Sequence, residues 1–424
     1  MSERLRLLFC DHLSLARGKY LPAGKMDDNA SRFAQAVYGV QYDKDLLPSP
    51  HSKMLEGCPD MEVRYLAGDI RDSWEENTKI VVGDVFEADG SPHQACGRGA
   101  LKRAISDWDE LGFTVKVGLE LEAYAFEIGE DGSLKPYNTP GAFVYGTGPF
   151  TDPVGFTHAI WEAAIDAGFH VDMICSEYDA GQFEFTLTFD DALKAVDDVF
   201  LFRQLAREVA FQHGILLTFM PKPIAESGGS GLHVNFSLWD KSGKNVIHAG
   251  SEASDLAKAC MAGLLHHHKG MAALVAPTVT SYMRLQPASL AGYWANWAVD
   301  HRGVTTRISA EGGKHARIEH RMGDATANPY TLVATVLQAA RLGFVNGYDL
   351  QPAETQDCFE GQDATISVAK NLAVALVDLA ADEALVRAVG QGLVDNLIFM
   401  KEDEIEKTKD LKGDALRDFY IHYL

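Results

Sequence analysis

The 424-residue chain has 60 acidic and 38 basic residues, and its formal net charge of −22 leaves no basic surplus to neutralise nucleic-acid phosphates. We therefore expect no nucleic-acid partner, and because no 18-residue apolar run occurs we expect no membrane span. Six cysteines without zinc-type spacing, and a start without a signal-peptide run, predict a cytoplasmic enzyme.

The first hundred residues have the pattern of short strands separated by turns. Residues 4–13 predict a strand, residues 19–26 predict a turn, and residues 62–69 and 79–87 predict further strands. We expect a small β-rich N-terminal domain over residues 1–97.

Long helical patterns begin after residue 97 and alternate with strands. Residues 99–112 are amphipathic and end at a glycine. Further helices are predicted at residues 153–168, 192–214, 252–274 and 330–341, the last with an Asn-Pro start, and the C-terminal region is predicted to be helical. We expect one larger domain over residues 98–424.

Two acidic residues share one face of the strand predicted near residues 115–127. Successive side chains of a strand point to opposite faces, so aliphatic residues fill one face while Glu120, Glu122 and Tyr124 line the other. On its own, this pattern is also typical of a half-exposed strand with a solvated acidic face.

Four more segments present a polar face, at residues 182–189, 233–238, 304–307 and 317–321. So many carboxylates in one place raise one another's pKa unless cations lie between them. The alternative is a set of separate, solvated strand faces. If the faces converge, one cavity holds Glu120, Glu122, Glu184, Glu319, His233, Arg307, Arg317 and Arg321.

Such a cavity would suit phosphoryl transfer. Oxygen ligands with one imidazole favour Mg²⁺ or Mn²⁺ over structural zinc, and arginine forks grip carboxylate or phosphate. Metals held by carboxylates beside arginines position and neutralise a transferring phosphoryl group. The sequence has no GxxxxGK[ST] motif, which excludes an ordinary P-loop.

The chain resembles the glutamine synthetase family, weakly before residue 97 and strongly over residues 117–340. Six motifs in the family's order carry this resemblance: GLELEAYAFE, EYDAGQFEF, GGSGLHVNFSL, PTVTSYMRL, NWAVDHRGVTTRIS and ARIEHRMGDATANPY. It implies an α+β fold with a small N-terminal β-grasp-like domain. A larger catalytic domain of the glutamine synthetase type follows, in which antiparallel strands form an active-site funnel with helices outside.

The resemblance also implies a reaction. ATP phosphorylates the side-chain carboxylate of glutamate with the help of two divalent cations, Mg²⁺ or Mn²⁺, and an amine then displaces the phosphate. One metal ion is assigned to Glu120, Glu177 and Glu184. The ligands assigned to the other are Glu122, His233 and Glu319.

Further site residues follow from the same resemblance. Arg302, Arg307 and Arg321 match arginines that stabilise the transferring phosphoryl group or bind the acid substrate. Arg284 matches the clamp on the substrate carboxylate, with the backbone of Gly229 beside it. The positions that match ATP contacts are Asn235, Ser237, Lys314 and Arg317. The family also implies a homo-oligomer, a dodecamer of two hexameric rings with active sites between subunits.

Single residues have structural alternatives. Glu177 alone fits a turn cap, His233 fits a core histidine, and Arg302 and Arg307 fit surface charges. The three histidines at residues 266–268 lie inside a predicted helix and cannot all face one site, so they are interpreted as structural.

The chain departs from the family where ammonium binds. Family members carry a glutamate on a flap after the SYxRL arginine, and Leu290 stands in that position here. A second family acid has no clear counterpart in residues 27–39, and Gly228 replaces an asparagine that contacts the α-amino group. These departures predict that glutamate is joined to an amine other than ammonia, such as an alkylamine or a polyamine. The alternatives are an ordinary glutamine synthetase, a ligase for a different acid, and a non-catalytic nucleotide-binding relative.

Overall fold

The computed structural model describes residues 3–424, which fold into one large sheet, three small sheets and surrounding helices, with β15 and β16 forming the smallest sheet. The strands are β1 Arg4–Cys10, β2 Ala16–Pro22, β3 Ala30–Ala34, β4 Asp60–Arg64, β5 Arg71–Asp72, β6 Thr78–Val82, β7 Asp84–Phe86, β8 Thr114–Ile128, β9 Leu134–Pro136, β10 Val171–Ser176, β11 Gln182–Leu187, β12 Asp190–Asp191, β13 Ile215–Thr218, β14 Leu232–Trp239, β15 His248–Ala249, β16 Glu252–Ala253, β17 Trp297–Val299, β18 Thr306–Ile308 and β19 Ile318–His320. The helices are α1 Gly97–Glu110, α2 Phe156–Asp166, α3 Ala192–Gln212, α4 Asp255–His266, α5 His268–Val275, α6 Ser281–Arg284, α7 Pro329–Asn346, α8 Leu372–Ala381, α9 Glu383–Val389, α10 Gln391–Thr408 and α11 Asp414–Tyr420.

Two small sheets build the N-terminal region, in the orders β2-β1-β6-β5 and β3-β4-β7. Strand β1 connects two cores, because Leu5 and Leu7 pack in a small local core while Leu8 and Cys10 pack in the main core. The prediction of a turn over residues 19–26 is wrong for residues 19–22, which belong to β2. Pairing with β1 extends β2 to its proline, and a 3-10 helix follows.

The large sheet runs β10-β11-β8-β14-β19-β18-β17, and β9, β12 and β13 also pair with β8. Its central strand β8 has 15 residues, and their alternation follows the prediction. The odd-numbered residues from Val115 to Ala125 are buried in the main core, whereas Glu120 and Glu122 lie on the opposite face. The predicted α+β class is confirmed, with a small N-terminal sheet region before a larger sheet and its helices.

Most predicted helices occur near their expected positions. Helix α1 ends before Gly112, which has a positive φ of 90°, and α7 begins at an Asn-Pro start where the Asn328 side chain accepts the first backbone N–H groups. Helices α4 and α7 touch through Gly263 and Gly343, where any Cβ would overlap a carbonyl oxygen of the other helix.

The single helix predicted at residues 252–274 is wrong, because the structure divides it into α4 and α5 at His267. His267 Nδ1 lies 2.7 Å from Asp382, whereas His268 contacts the Tyr293 carbonyl and His266 stacks on Tyr348. The three histidines therefore point to different partners.

Two further observations concern the whole described chain. Within residues 3–424, no helix has the length and apolar composition needed to cross a membrane. The division into domains at 1–97 and 98–424 stays a prediction.

Candidate active site

The registers of four strands bring chain-distant polar side chains together on one face of the large sheet. Glu122 on β8 stands opposite Glu184 on β11, and Glu120 stands opposite His233 on β14. On the far side of β14, Glu319 on β19 stands opposite Asn235. Cross-strand neighbours of this kind have Cβ atoms within about 5.5 Å, so the converging face predicted from the sequence exists.

Three carboxylates form the first cluster, which consists of Glu122, Glu177 and Glu184. One oxygen of each lies within 4.8 Å of the others, and none pairs with a lysine or arginine among residues 3–424. Burial raises the pKa of Glu184 to about 9, and its hydrogen bond to Glu177 and the charge of nearby Glu120 add to the shift. The first cluster therefore carries acidic charge that its own surroundings do not neutralise.

The second cluster consists of Glu120, His233 and Glu319 and is held together by basic and amide side chains. His233 Nδ1 lies 3.1 Å from Glu120 Oε2, and Asn235 donates to Glu120 Oε1 at 2.9 Å. Burial opposes ionisation of Glu120, but the hydrogen bond and charge of His233, with Asn235 and Arg321, lower its pKa to about 2. This cluster is compensated by its neighbours.

The grouping of metal ligands expected from the sequence is wrong for two residues. Glu120 was expected beside Glu177 and Glu184, and Glu122 beside His233 and Glu319, but the structure exchanges the two acids. The strand registers explain the exchange, because each acid approaches the residue that directly faces it across the sheet.

The predicted arginines differ in position. Glu319 accepts hydrogen bonds from both Arg307, at 3.1 Å, and Arg321, which is buried. Arg302 is exposed in the loop between β17 and β18 and makes no ion pair within the described part of the chain. Two of the three thus lie at the second cluster, and Arg302 does not.

The predicted substrate clamp lies against a glycine-rich loop. Arg284 is 3% exposed and donates to the carbonyl oxygens of Arg321 and Met322. Its side chain occupies the space that a Cβ of Gly229 would need, and its guanidinium lies 2.6 Å from the Cβ position of Gly231. Only glycine lets the loop approach the guanidinium this closely.

All four positions predicted to contact ATP line one cavity of about 450 Å³, namely Asn235, Ser237, Lys314 and Arg317. Glu120 also lines this cavity, so it opens onto the second cluster. Arg317 donates to Asn235 at 3.2 Å and thereby links two of its walls.

Two residues of the site were missed in the sequence. Lys116 lines the cavity, and Gln182 donates to both Glu122 and the Gly229 carbonyl at 3.3 and 3.2 Å. Both belong to the polar side of their strands, since Lys116 shares the parity of Glu120 and Gln182 that of Glu184. Strand parity was therefore the signal that could have found them.

Comparison with known proteins assigns the chain to a family. Residues 94–420 match the model of the glutamine synthetase catalytic domain. The glutamine synthetase of Thermococcus kodakarensis is 31% identical over 419 residues, which cover 95% of this chain and 89% of the relative. The chain belongs to the glutamine synthetase family. It is therefore an ATP-dependent carbon–nitrogen ligase of the glutamine synthetase type.

Other relatives extend this likeness over the full length. The glutamine synthetase of Pyrococcus furiosus is 29% identical over 99% of this chain and 88% of its own. A solved structure described as a novel glutamine synthase homolog superposes with a TM-score of 0.86 at 25% identity, covering 100% of this chain and 99% of that one. A GmaS/ADP complex gives 0.84 at 26%, covering 99% and 97%.

The loop that contains Ala288 and Leu290 touches the site without offering an acid. The backbone carbonyl of Leu290 lies 3.4 Å from Arg321 Nε, beside the second cluster. Ala288 and Leu290 both have a positive φ, near 58° and 57°, so the loop makes two tight bends. The Leu290 side chain is aliphatic and half-buried.

Proposed function

We propose that this protein joins the γ-carboxylate of glutamate to an amine other than ammonia, through a γ-glutamyl phosphate intermediate. The observation that carries the proposal is Leu290, an aliphatic residue at the flap position beside Arg321. An ammonium ion without its carboxylate loses a charge-assisted hydrogen bond of about 1.5–3 kcal/mol. An alkylamine or polyamine recovers part of that loss by burying its CH₂ groups, at about 0.8 kcal/mol each.

The 450 Å³ cavity is the proposed nucleotide site. In this proposal, Asn235, Ser237, Lys314 and Arg317 contact ATP, and two lysines, Lys116 and Lys314, supply positive charge to its walls. The similar GmaS structure, which holds ADP, supports a nucleotide in this fold.

The two clusters fit divalent cations by their chemistry. The first cluster offers three carboxylates without a lysine or arginine partner, and the second offers two carboxylates and an imidazole, which together suit Mg²⁺ or Mn²⁺. When bound, such cations neutralise the phosphate oxygens and the substrate carboxylate, so that the two anions can approach. Protein groups then do the positioning: Arg307 and Arg321 lie at Glu319 and would face the transferring phosphoryl group.

We propose that the α-carboxylate of the glutamate substrate lies against Arg284, with the backbone of Gly229 beside it. Arg284 is buried and donates two hydrogen bonds to backbone carbonyl oxygens, which fix the plane of its guanidinium. A fixed fork holds a carboxylate at lower entropic cost than a mobile side chain. Arg302 is proposed to join the reacting groups only when its exposed loop moves inward.

The assembly and location follow from the family. We propose a ring-shaped homo-oligomer, a dodecamer of two hexameric rings with shared active sites, and a domain division at residues 1–97 and 98–424. A cytoplasmic location is consistent with the six cysteines, all of which are free thiols in the described structure.

An amine panel tests the proposal directly. Phosphate release is measured with ATP, glutamate, Mg²⁺ or Mn²⁺, and one of ammonia, methylamine, longer alkylamines or polyamines. We expect the highest kcat/KM for an alkylamine or polyamine, and fastest turnover with ammonia would reject the idea in favour of an ordinary glutamine synthetase. Turnover without glutamate, which Gly228 would permit, would indicate a different acid substrate. Nucleotide binding without phosphate release would indicate a non-catalytic relative.

A further inference from the structure

A second cavity, of about 590 Å³, lies beside the edge strand β10 of the large sheet, and we call it the edge cavity. Its outer wall is the loop between β9 and α2, which pairs with the end of β10. The backbone N–H of Tyr145 donates to the Ser176 carbonyl at 2.8 Å, and the N–H of Ser176 donates to the Gly146 carbonyl at 3.1 Å. The wall is therefore held to the sheet by backbone hydrogen bonds.

Apolar side chains from several elements line the edge cavity. Trp161 on α2, Ile174 on β10 and Phe183 on β11 form its inner side, and Pro149 and Val154 belong to the outer loop. Trp161 and Ile174 are half-buried, so a ligand that covers them removes more apolar surface from water. A cavity of this size with aromatic and aliphatic walls is typical of small-molecule sites.

The edge cavity adjoins the first cluster at Cys175. Cys175 on β10 stands directly opposite Glu184 on β11, so the two side chains point to the same face with Cβ atoms within about 5.5 Å. Burial raises the pKa of the Cys175 thiol to about 12, with the charges of Glu184, Glu177 and Glu122 as further causes. One residue of the cavity wall is thus close to all three carboxylates of the first cluster.

The two cavities adjoin different clusters. The proposed nucleotide cavity adjoins the second cluster through Glu120, whereas the edge cavity adjoins the first cluster through Cys175. In the proposed reaction the amine displaces phosphate from the γ-glutamyl group beside the clusters. Its substituent then has to extend away from the clusters on a side that the nucleotide does not occupy, which matches the position of the edge cavity.

The edge cavity offers no free carboxylate to a second ammonium group. Asp152 lines it and is buried, but its carboxylate accepts four hydrogen bonds at 2.7 to 3.1 Å, from Tyr137, Gly155 and, twice, Thr157. Four donors fill the acceptor positions of a carboxylate. His158 is exposed, and no lysine, arginine or further carboxylate lines the cavity. A second ammonium group would therefore lose its hydration without gaining a counter-ion.

We propose that the edge cavity binds the hydrocarbon tail of a primary amine substrate whose nitrogen lies beside the first cluster. The inference rests on the proposed function for the reaction itself. It narrows the amine class, because a chain without a second charge fits this lining and a polyamine does not.

Chain length and terminal charge give the first test, with phosphate release as the readout. Along the primary n-alkylamines from methylamine to hexylamine, each CH₂ group buried in the cavity should raise kcat/KM about threefold to fourfold until the cavity is filled. Butylamine and 1,4-diaminobutane are the matched pair, since they share a carbon chain and differ in terminal charge. We expect kcat/KM to be about tenfold or more higher for butylamine. A preference for the diamine would overturn the inference.

Thr147→Phe tests where the tail lies. Thr147 is an exposed residue of the cavity wall, so phenylalanine there fills part of the cavity without replacing a buried side chain. We expect kcat/KM for butylamine to fall about tenfold or more, while the values for methylamine and KM for glutamate and ATP stay within about twofold. Ser251→Phe, in the exposed turn between β15 and β16, is the control for an added aromatic ring.

Trp161→Ala is the opposite change, because it enlarges the edge cavity and should move the preferred amine to a longer chain. Equal losses for methylamine and butylamine in Thr147→Phe would overturn the inference, since the substitution would then act on the reacting groups and not on the tail. A chain-length preference that is the same in the wild type and both variants would also overturn it.

Calorimetric binding of butylamine, with glutamate and a non-hydrolysable ATP analogue present, separates this inference from the proposed reaction. Suppose that ammonia gives the fastest turnover, but butylamine binds the wild type and binds Thr147→Phe at least about tenfold more weakly. The proposed function then fails while the role of the edge cavity is supported. If alkylamines are the best substrates but butylamine binds both proteins equally, the proposed function is supported and the inference fails.

Discussion

The first and second clusters are neighbours, because Glu122 and Glu120 are two residues apart on β8. They differ in how far nearby protein groups neutralise their carboxylates. Glu122 in the first cluster shares its space with two more carboxylates, whereas Glu120 in the second has His233 and Asn235 as hydrogen-bond partners. Residues two positions apart can therefore differ in their need for an external cation. Basic and amide side chains of the protein compensate the charge of the second cluster. The carboxylates of the first cluster need a positively charged ligand before all of them can be ionised.

The largest effect is expected from removing the acid at the centre of the second cluster. Glu319→Ala removes a proposed metal ligand and leaves Arg307 and Arg321 without their common acceptor. We expect kcat to fall by about 100-fold or more, as for losses of comparable electrostatic groups elsewhere. Phosphate release at saturating substrates measures it, with the exposed Glu383→Gln on α9 as the control. Activity within a factor of two of wild type would contradict a catalytic second cluster.

A smaller change is expected from restoring an acid at the flap. Leu290→Glu places a carboxylate in the loop beside Arg321 and should raise kcat/KM for ammonia, relative to the best alkylamine, by about tenfold. Leu290→Gln is the neutral control of similar size. If both variants changed the amine preference equally, the shape of residue 290 and not its charge would set specificity.

The stability of the metal-free protein offers a direct contrast between the clusters. In EDTA at neutral pH, Glu184→Gln removes a carboxyl group that ionises in the unfolded chain but is kept protonated in the folded first cluster, and should raise Tm, whereas Glu120→Gln weakens the contact with His233 and should lower it. By the ratio of ΔΔG to the unfolding entropy, a change of about 1 kcal/mol corresponds to about 1 °C in a chain of 424 residues. Added Mn²⁺ should stabilise the wild type more than either variant, because only the wild type keeps all the proposed ligands, and should thereby remove the advantage of Glu184→Gln. Equal shifts in EDTA would show that the clusters do not differ in charge balance.

The pH dependence of stability gives the smallest and most specific effect. In the folded, metal-free protein the pKa of Glu184 is about 9, above its ordinary value of 4.5, so the folded state binds more protons than the unfolded state between these values. The free energy of unfolding therefore decreases as pH rises through this range. Glu120 has the opposite sign: its pKa of about 2 gives stability above pH 4.5 that is lost as pH falls. Thermal denaturation in EDTA at about pH 5 to 9 should show wild type losing Tm relative to Glu184→Gln, and parallel curves would contradict the shift.

Local features of the fold were predictable, and pairings between distant strands were not. The alternation in β8 predicted which face carries Glu120 and Glu122, and the same parity marks Gln182 and Lys116. The partner of each acid depends on the register between β8, β11 and β14, which is set by the packing of the whole sheet. For that reason the two metal-ligand sets were composed incorrectly, although all six residues converge.

Errors in the elements have similar causes. Residues 19–22 contain a proline that suggests a turn, but pairing with β1 holds them in β2, and the proline is tolerated at the strand end. The break at His267 has no glycine or proline to announce it. At the break, the His267 imidazole contacts Asp382, which lies more than a hundred residues away in the sequence and caps the N-terminus of α9.

The continuity of β8 has a consequence for how such enzymes diversify. Glu120 and Glu122 are two residues apart on β8, so strand geometry sets their Cα atoms roughly 6 to 7 Å apart and keeps the two clusters adjacent. Leu290, by contrast, belongs to a connection between α6 and β17, where a substitution leaves the backbone of β8 in place. The amine preference proposed for Leu290 should therefore be open to change by mutation without disturbing the strand that carries both acids.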